Sequence, residues 1–189
     1  MPRRALLLAG MAIVMILVVV ALVVVIRFTP RPSTRAAAAP SPTAPAPPGR
    51  KIKARLFYVG ENGTKLTGIE RDVAFADNAA EQAREIVAAQ VGAVAEPLVS
   101  AVPSGTTLRA LFITENRQAF VDLSRDVVAA HPGGTINELL TVYTIVNAVT
   151  ANLPAITSVQ VLVDGKEVDT LAGHVDLRRP LTKNLSWVQ

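Results

Sequence analysis

The chain has 189 residues, enough for one ordinary domain with accessory segments, and it contains no cysteine. That absence excludes disulfides, thiolate zinc sites, a cysteine nucleophile and lipid attachment through an N-terminal cysteine. The formal net charge is +4, but residues 1–50 hold six arginines and no acid, whereas residues 51–189 hold 13 basic and 15 acidic residues. Because the presumed folded part is net negative, the basic balance does not indicate a nucleic acid partner.

The N-terminus begins with a short basic segment, residues 1–4, followed by 22 uncharged and mostly apolar residues at positions 5–26. As a helix this run would be roughly 33 Å long, close to the hydrocarbon thickness of about 30 Å. We therefore expect a transmembrane helix that anchors the chain in the lipid bilayer. The alternative is a cleaved signal peptide, but the run exceeds the usual signal core of about 7–15 residues.

Residues 27–50 form a Pro/Ala-rich linker, with seven prolines between Pro30 and Pro48. Such a segment favours extended polyproline II and cannot bury a core, so it predicts a semi-rigid spacer. Arginines at positions 3 and 4 favour a cytoplasmic N-terminus, although arginines at 27, 31 and 35 nearly cancel that signal. We expect a single-pass protein of the cell membrane with an extracytoplasmic C-terminal domain, residues 51–189.

The domain is predicted to start with a strand over Lys51–Val59, whose alternation places Lys51, Lys53, Arg55 and Phe57 on the outer face. The three basic side chains are candidate contacts for anionic lipid headgroups or a cell-wall polymer. The alternative is that they keep an edge strand from pairing with a neighbour.

A turn at residues 60–63 and an extended stretch over 66–75 follow. Asn78 and Glu81 have the spacing of a capping box, and apolar residues then recur at helical spacing, which predicts a helix over 79–93.

Residues 106–123 have the pattern of a β-hairpin that turns at 115–117. Asp122 is an acid near the end of an apolar strand. With no second acid, histidine or serine at a catalytic spacing, we expect it to cap the turn at Ser124 and Asp126. His131 precedes Pro-Gly-Gly and is expected in an exposed loop.

Thr135 and Glu138 form the capping pattern Thr-x-x-Glu ahead of an apolar run that reaches Leu153 and predicts a second helix. Alternating valines over 157–163 predict a core strand, and Asp164-Gly165 predicts a two-residue hairpin turn with positive φ. This turn would place Val168 opposite Val161. A helix so apolar must lie against a sheet or another helix.

These residues together resemble the GerMN domain family of sporulation and spore-germination modules, over roughly residues 51–182. The resemblance is carried by the strand 53–58, the hairpin 103–124, the helix start at Gly134-Thr-x-x-Glu138 with Tyr143 and Asn147, and Val161-Leu-Val-Asp-Gly-Lys166 followed by Gly173-His-Val-Asp-Leu177.

The resemblance implies an α/β (α+β) domain with a mainly antiparallel sheet packed by two helices, displayed outside the cytoplasm and anchored to the membrane. It also implies an interaction module without catalytic residues or cofactor. This chain differs from tandem members in having one copy, and from lipoprotein members in its transmembrane anchor.

His174 and Asp176 lie two residues apart and suggest a metal site, but structural sites use about four protein ligands. A structural hydrogen bond for His174 is the better interpretation. No Gly-x-Ser-x-Gly, phosphate-binding loop or His-Glu-x-x-His motif is present in the sequence. The leading hypothesis is therefore a non-catalytic module that binds an envelope protein or itself. The alternatives are a domain for a wall polymer or small ligand and, last, a hydrolase using Asp122, Asp176 or His174.

Overall fold

The computed structural model describes residues 49–189. The predicted transmembrane helix, its orientation and nearly all of the linker lie outside the described residues. Among the helices of residues 49–189, none combines the length and apolarity needed to cross a membrane.

The described part begins with an antiparallel hairpin of β1 (Lys51–Val59) and β2 (Leu66–Ala74), in register from Lys51 opposite Ala74 to Val59 opposite Leu66. The sequence predicted β1 correctly, and Ala54, Leu56 and Tyr58 are buried as expected. The expected outward position of Phe57 was wrong, because its side chain is fully buried in the same apolar cluster. The C-terminal half of β1 is thus covered on both faces, a burial that alternation along a single strand does not predict.

Helix α1 spans Ala79–Val91 and begins where predicted, because the Asn78 side chain accepts a hydrogen bond from the Glu81 backbone N–H at 2.8 Å. It ends at Val91, two residues earlier than predicted, because the backbone of Gly92 is extended, with a ψ of 159°. The helix buries Ala83, Ile86 and Val87 and so contacts both apolar clusters of the domain.

A mixed five-stranded sheet forms the second half. Its strands are β3 (Leu108–Ile113), β4 (Gln118–Leu123), β5 (Ser158–Val163), β6 (Lys166–Glu167) and β7 (Leu181–Thr182). The order is β3-β4-β5-β6, and β7 also pairs with β5. Between β4 and β5 lie the short helix α2 (Asp126–Ala129) and the long helix α3 (Thr135–Asn152). A 3-10 turn at Leu185–Trp187 follows β7.

The α/β class with two main helices is confirmed, but residues 49–189 contain two sheets and three α-helices, and one central pairing is parallel. β5 runs parallel to β4 because α3 carries the chain back across the domain before β5 begins. The predicted pairing of Val168 with Val161 does not extend that far, since β6 ends at Glu167. Val168 instead packs partly buried against the core.

Helix α3 lies between the two sheets. Val142, Ile145, Val146 and Val149 belong to the apolar cluster with β3, β4 and β5, while Leu140 and Ala148 belong to the cluster with β1 and β2. Glu138, Thr141, Thr144, Asn147 and Thr150 of the same helix are also buried. Because the helix is covered on two sides, most of these polar side chains are hydrogen-bonded within the protein, but the Thr144 Oγ1 is buried without a partner.

The free edge of β1 is covered by side-chain amides. The Gln90 carboxamide accepts from the Phe57 N–H and donates to the Phe57 carbonyl, both at 2.8 Å. Asn152 makes the same pair of contacts with the N–H and carbonyl of Arg55, also at 2.8 Å. Farther along, the Val59 N–H donates to the Val99 carbonyl at 2.9 Å. Two helices thereby replace a third strand beside β1.

We predict that Gln90→Ala lowers the free energy of unfolding by about 3 kcal/mol, because each buried backbone group left without a partner costs about 1–3 kcal/mol. Denaturant unfolding of the purified full chain measures this change. The control is Glu85→Ala on the exposed side of α1, expected within about 0.5 kcal/mol of wild type. Equal stabilities of the two variants would show that the amide contact does not support β1.

Candidate functional site

The most site-like sequence, Gly-His-Val-Asp-Leu, lies in a loop that wraps around the first turn of α3. The predicted capping box at this helix start was wrong. The N-cap residue is Gly134, with φ 84° and ψ 143°, and no side chain caps the helix. Thr135 is the first helical residue and is exposed. Glu138 points away from its own helix start, into the interior.

The Glu138 carboxylate is fully buried and binds the backbone of that loop. Its Oε1 accepts from the N–H groups of Leu171 at 2.8 Å and Ala172 at 3.0 Å. Its Oε2 accepts from the N–H of His174 at 2.8 Å and lies 3.2 Å from the His174 Nδ1. Burial acts to raise the pKa of Glu138, but the N–H groups of Ala172, His174 and Leu171 outweigh it and lower that pKa. Glu138 is thus an ionised structural group that fixes the loop 171–174.

His174 and Asp176 do not converge on a common ligand. The His174 side chain faces Glu138 but is 40% exposed, so the histidine is a surface partner of a buried carboxylate. Asp176 pairs with Arg178, whose Nη2 lies 2.8 Å from the Asp176 Oδ2. The hydrogen bond from the Arg178 side chain lowers the pKa of Asp176. Within residues 49–189 no three His, Asp or Glu side chains are grouped as metal ligands.

The Asp164-Gly165 turn forms as predicted, with φ values of 50° and 75°. Asp122 binds this turn, so its expected role at Ser124 and Asp126 was wrong. Its Oδ1 accepts from the Gly165 N–H at 2.7 Å, and its Oδ2 lies 3.5 Å from the Arg109 Nε. Arg109 also pairs with Asp164. The partner of Asp122 could not be found locally because it lies 43 residues away in sequence.

The basic row on β1 faces acids on β2. Lys53 lies opposite Asp72 in the strand register, with its Nζ 2.6 Å from the Asp72 Oδ1, and Arg55 lies opposite Glu70. Lys51 is exposed at the start of the strand, opposite Ala74. The three side chains thus lie close together, but the cross-strand acids neutralise much of their charge.

His131 was expected in an exposed loop, but it is partly buried between α2 and α3. Its Nδ1 accepts from the Gly133 N–H at 2.9 Å, and its Nε2 lies 3.2 Å from the Thr141 Oγ1. His131 is partly buried because Thr141, on the buried side of α3, contacts the loop that precedes the helix.

The sequence patterns did not predict two features of the outer surface. Phe112 on β3 is 56% exposed and lies opposite the partly buried Phe120 of β4, on the face of the five-stranded sheet away from Leu111 and Val121. We call this the outer face of the sheet. The sequence signal for this outer face was an apolar residue at a position of the alternating strand where a polar residue is expected.

The second feature is a cleft of about 670 Å³ beside the C-terminal end of α1. Its lining is mostly apolar and includes Val91, Val94, Val102, Pro103 and Pro132. Thr106 also lines it, and the Thr106 Oγ1 is buried without a hydrogen-bond partner.

The fold and the geometry together define an α/β domain whose polar motif forms internal contacts. The Germane family, described as sporulation and spore germination, matches residues 55–169. The chain therefore belongs to the Germane family, and the predicted GerMN resemblance is confirmed. No curated protein sequence is significantly similar to it.

Among the solved structures that match this chain, two illustrate the shared fold. The tandem GerMN domains of the sporulation protein GerM from Bacillus subtilis align with a TM-score of 0.55 and 14% identity, over 70% of this chain and 46% of that one. A Clostridium perfringens protein described as a lipoprotein aligns with a TM-score of 0.50 and 21% identity, over 70% of this chain and 88% of that one. This chain thus spans about half of the tandem structure.

We predict that Glu138→Gln lowers the free energy of unfolding by about 2–4 kcal/mol at neutral pH, since hydrogen bonds to a charged group contribute about 1.5–3 kcal/mol each and are not additive. The pKa of Glu138 is below its ordinary value of 4.5 in the folded protein. Its contribution is therefore complete above pH 4.5 and is lost as the pH falls through the folded-state pKa.

Unfolding of the full chain at several pH values measures both effects. Wild type should lose stability below pH 4.5 more steeply than Glu138→Gln. Glu167→Gln on exposed β6 is the matched control and should keep the wild-type slope. An unchanged slope in Glu138→Gln would contradict the assigned ionised state.

Proposed function

We propose that this chain is a membrane-anchored, extracytoplasmic and non-catalytic protein-interaction module of the cell envelope, in a sporulation- or germination-type process. Support comes from the family description and from the apolar segment 5–26 of the sequence. The similar Clostridium perfringens protein is described as a lipoprotein, which is a membrane-attached class.

The observation that carries the proposal is the outer face of the five-stranded sheet. Phe112 and Phe120 lie side by side there, and the partly buried Leu162 of β5 lies on the same face. Aromatic side chains dominate protein interfaces because they bury large apolar areas with few rotatable bonds. A partner protein or a second copy of this chain would cover this face.

The non-catalytic part of the proposal rests on the contacts of the candidate groups. Both oxygens of Glu138 accept backbone N–H groups, Asp176 is paired with Arg178, and Asp122 holds the Asp164-Gly165 turn. A general base needs a free lone pair within reach of a substrate proton. These carboxylates instead bind the protein's own backbone and arginines.

A second candidate function is binding of a small ligand or wall polymer, which the cleft beside α1 favours through its volume of about 670 Å³ and its apolar lining. A polymer contact at Lys51, Lys53 and Arg55 would be weakened by Asp72 and Glu70 opposite. Salt-sensitive sedimentation of the full chain with purified cell wall, lost on substituting the three basic residues, would favour the polymer over a protein partner.

The proposed localisation has its own test. A topology reporter fused after Gln189 should be active only on the extracytoplasmic side of the membrane. Activity on the cytoplasmic side would overturn the proposed orientation, whatever partner the domain binds.

For the interaction itself, we predict that a photo-crosslinking amino acid at position 112 traps one protein species in cells, either an envelope protein or a second copy of the chain. The matched control is position 128 on α2, where Val128 is also exposed. Crosslinks at 112 as diffuse as those at 128 would argue against an interface on the outer face.

Stability measurements separate binding from folding in this experiment. Phe112→Ala should abolish the specific crosslink from a neighbouring probe, yet change the free energy of unfolding by less than about 0.5 kcal/mol, because the side chain is exposed. Leu111→Ala, one residue away and fully buried, should cost about 2–5 kcal/mol.

A further inference from the structure

Both histidines of the chain lie near the same carboxylate. The sequence contains two histidines, at positions 131 and 174. His174 contacts Glu138 directly, and His131 lies in the loop before α3, within electrostatic influence of both Glu138 and His174. The spacing of the two histidines in sequence gave no indication of this convergence.

The hydrogen bonds of His131 determine where its proton lies. The Nδ1 accepts the Gly133 N–H at 2.9 Å and must therefore carry a lone pair. The Thr141 hydroxyl lies 2.6 Å from the Ala101 carbonyl and 2.9 Å from the Asn137 carbonyl, both of which are acceptors. Its hydrogen is directed to one of them, so the Thr141 Oγ1 accepts from the His131 Nε2–H at 3.2 Å. The folded arrangement thus requires the neutral Nε2–H tautomer.

Protonation of His131 would place a second N–H at Nδ1, facing the N–H of Gly133. Two donors cannot share a hydrogen bond, so the ring would have to turn away and release both Gly133 and Thr141. We propose that His131 is a pH-sensitive contact that holds the loop 131–134 against α3 when neutral and releases it when protonated.

The charged groups that face His131 act in opposite directions. Burial lowers the pKa of His131, the Glu138 carboxylate raises it, and His174 lowers it, with a net pKa below the ordinary value of 6.5. A histidine whose folded pKa is lowered stabilises the closed loop fully above pH 6.5. That stabilisation is lost as the pH falls from 6.5 to the folded-state pKa. The acid response of this loop therefore begins at higher pH than that of Glu138.

The loop is also one side of the cleft. Pro132 lines the cleft directly, and so does Ala101, whose carbonyl binds Thr141. Release of His131 would free Pro132 and remove one of the contacts of Thr141. The proton would thus change the contacts of one wall of the cleft.

The first test determines the tautomer of His131. In the full chain labelled with ¹⁵N-histidine, two imidazoles give signals, and His174→Asn assigns them. We expect His131 at pH 7.5 to show the Nε2–H pattern and to take up its proton below pH 6.5. An Nδ1–H tautomer, or a charged ring at pH 7.5, would overturn the proposal.

The second test measures the opening of the loop 131–134. Hydrogen exchange of residues 131–137 in the full chain, corrected for intrinsic rates, should increase up to about tenfold between pH 7.5 and pH 5.5, because opening takes up one proton per molecule. Residues of β4 should not respond. The exchange is followed by mass spectrometry of peptides from these segments.

Two variants make this test specific. His131→Asn keeps an acceptor for the Gly133 N–H through its side-chain oxygen but does not titrate, so it should lose the acid response. His174→Asn should retain the response, since His131 is intact. A full response in His131→Asn, or none in His174→Asn, would assign the effect to other groups and overturn the proposal.

Discussion

The burial of α3 between two sheets is the constraint on which the rest of this domain depends. An apolar helix covered on one side needs only a polar outer face, but α3 contacts both apolar clusters and buries five polar side chains as well. A polar side chain buried without a partner destabilises the fold, and of these five only the Thr144 hydroxyl has none. Much of the arrangement around α3 can be understood as the set of partners that its polar side chains require.

For Glu138 and Asn147, and for Asn152 at the end of the helix, those partners are backbone groups of segments far away in sequence, whereas the Thr150 hydroxyl binds the Val146 carbonyl of the same helix. Glu138 binds the loop 171–174, Asn152 binds Arg55 on β1, and the Asn147 side chain binds both backbone groups of Asn184 at 2.9 and 3.0 Å. Gln90 of α1 adds the contact to Phe57. The helices thereby orient the edge of the first sheet, the Gly-His-Val-Asp-Leu loop and the C-terminal turn, while Thr141 orients the loop beside the cleft. Because the two sides of the domain meet at α3, a substitution in the first turns of this helix would affect both the loop 171–174 and the cleft beside α1.

The use of polar side chains for internal contacts limits which residues can bind a partner. The residues that most resemble a site in the sequence stabilise the fold, so the proposed partner would be recognised by side chains without a structural role, such as Phe112 on the outer face. Such positions can change without loss of the fold. Members of one family that share the internal polar contacts can therefore present different surfaces, and the family fold alone does not specify a partner.

The sequence by itself determined the features that depend on neighbours along the chain. These include β1, the Asn78 cap of α1, the Asp164-Gly165 turn, the valine core of β5 and, through the combined motifs, the family. Only the tertiary structure decided the parallel pairing of β5, the burial of Phe57, and the partners of Glu138, Asp122 and His131. The physical reason is that periodicity and capping act over a few residues. A buried polar group instead takes its partner from whatever backbone the packing of α3 brings within hydrogen-bond distance.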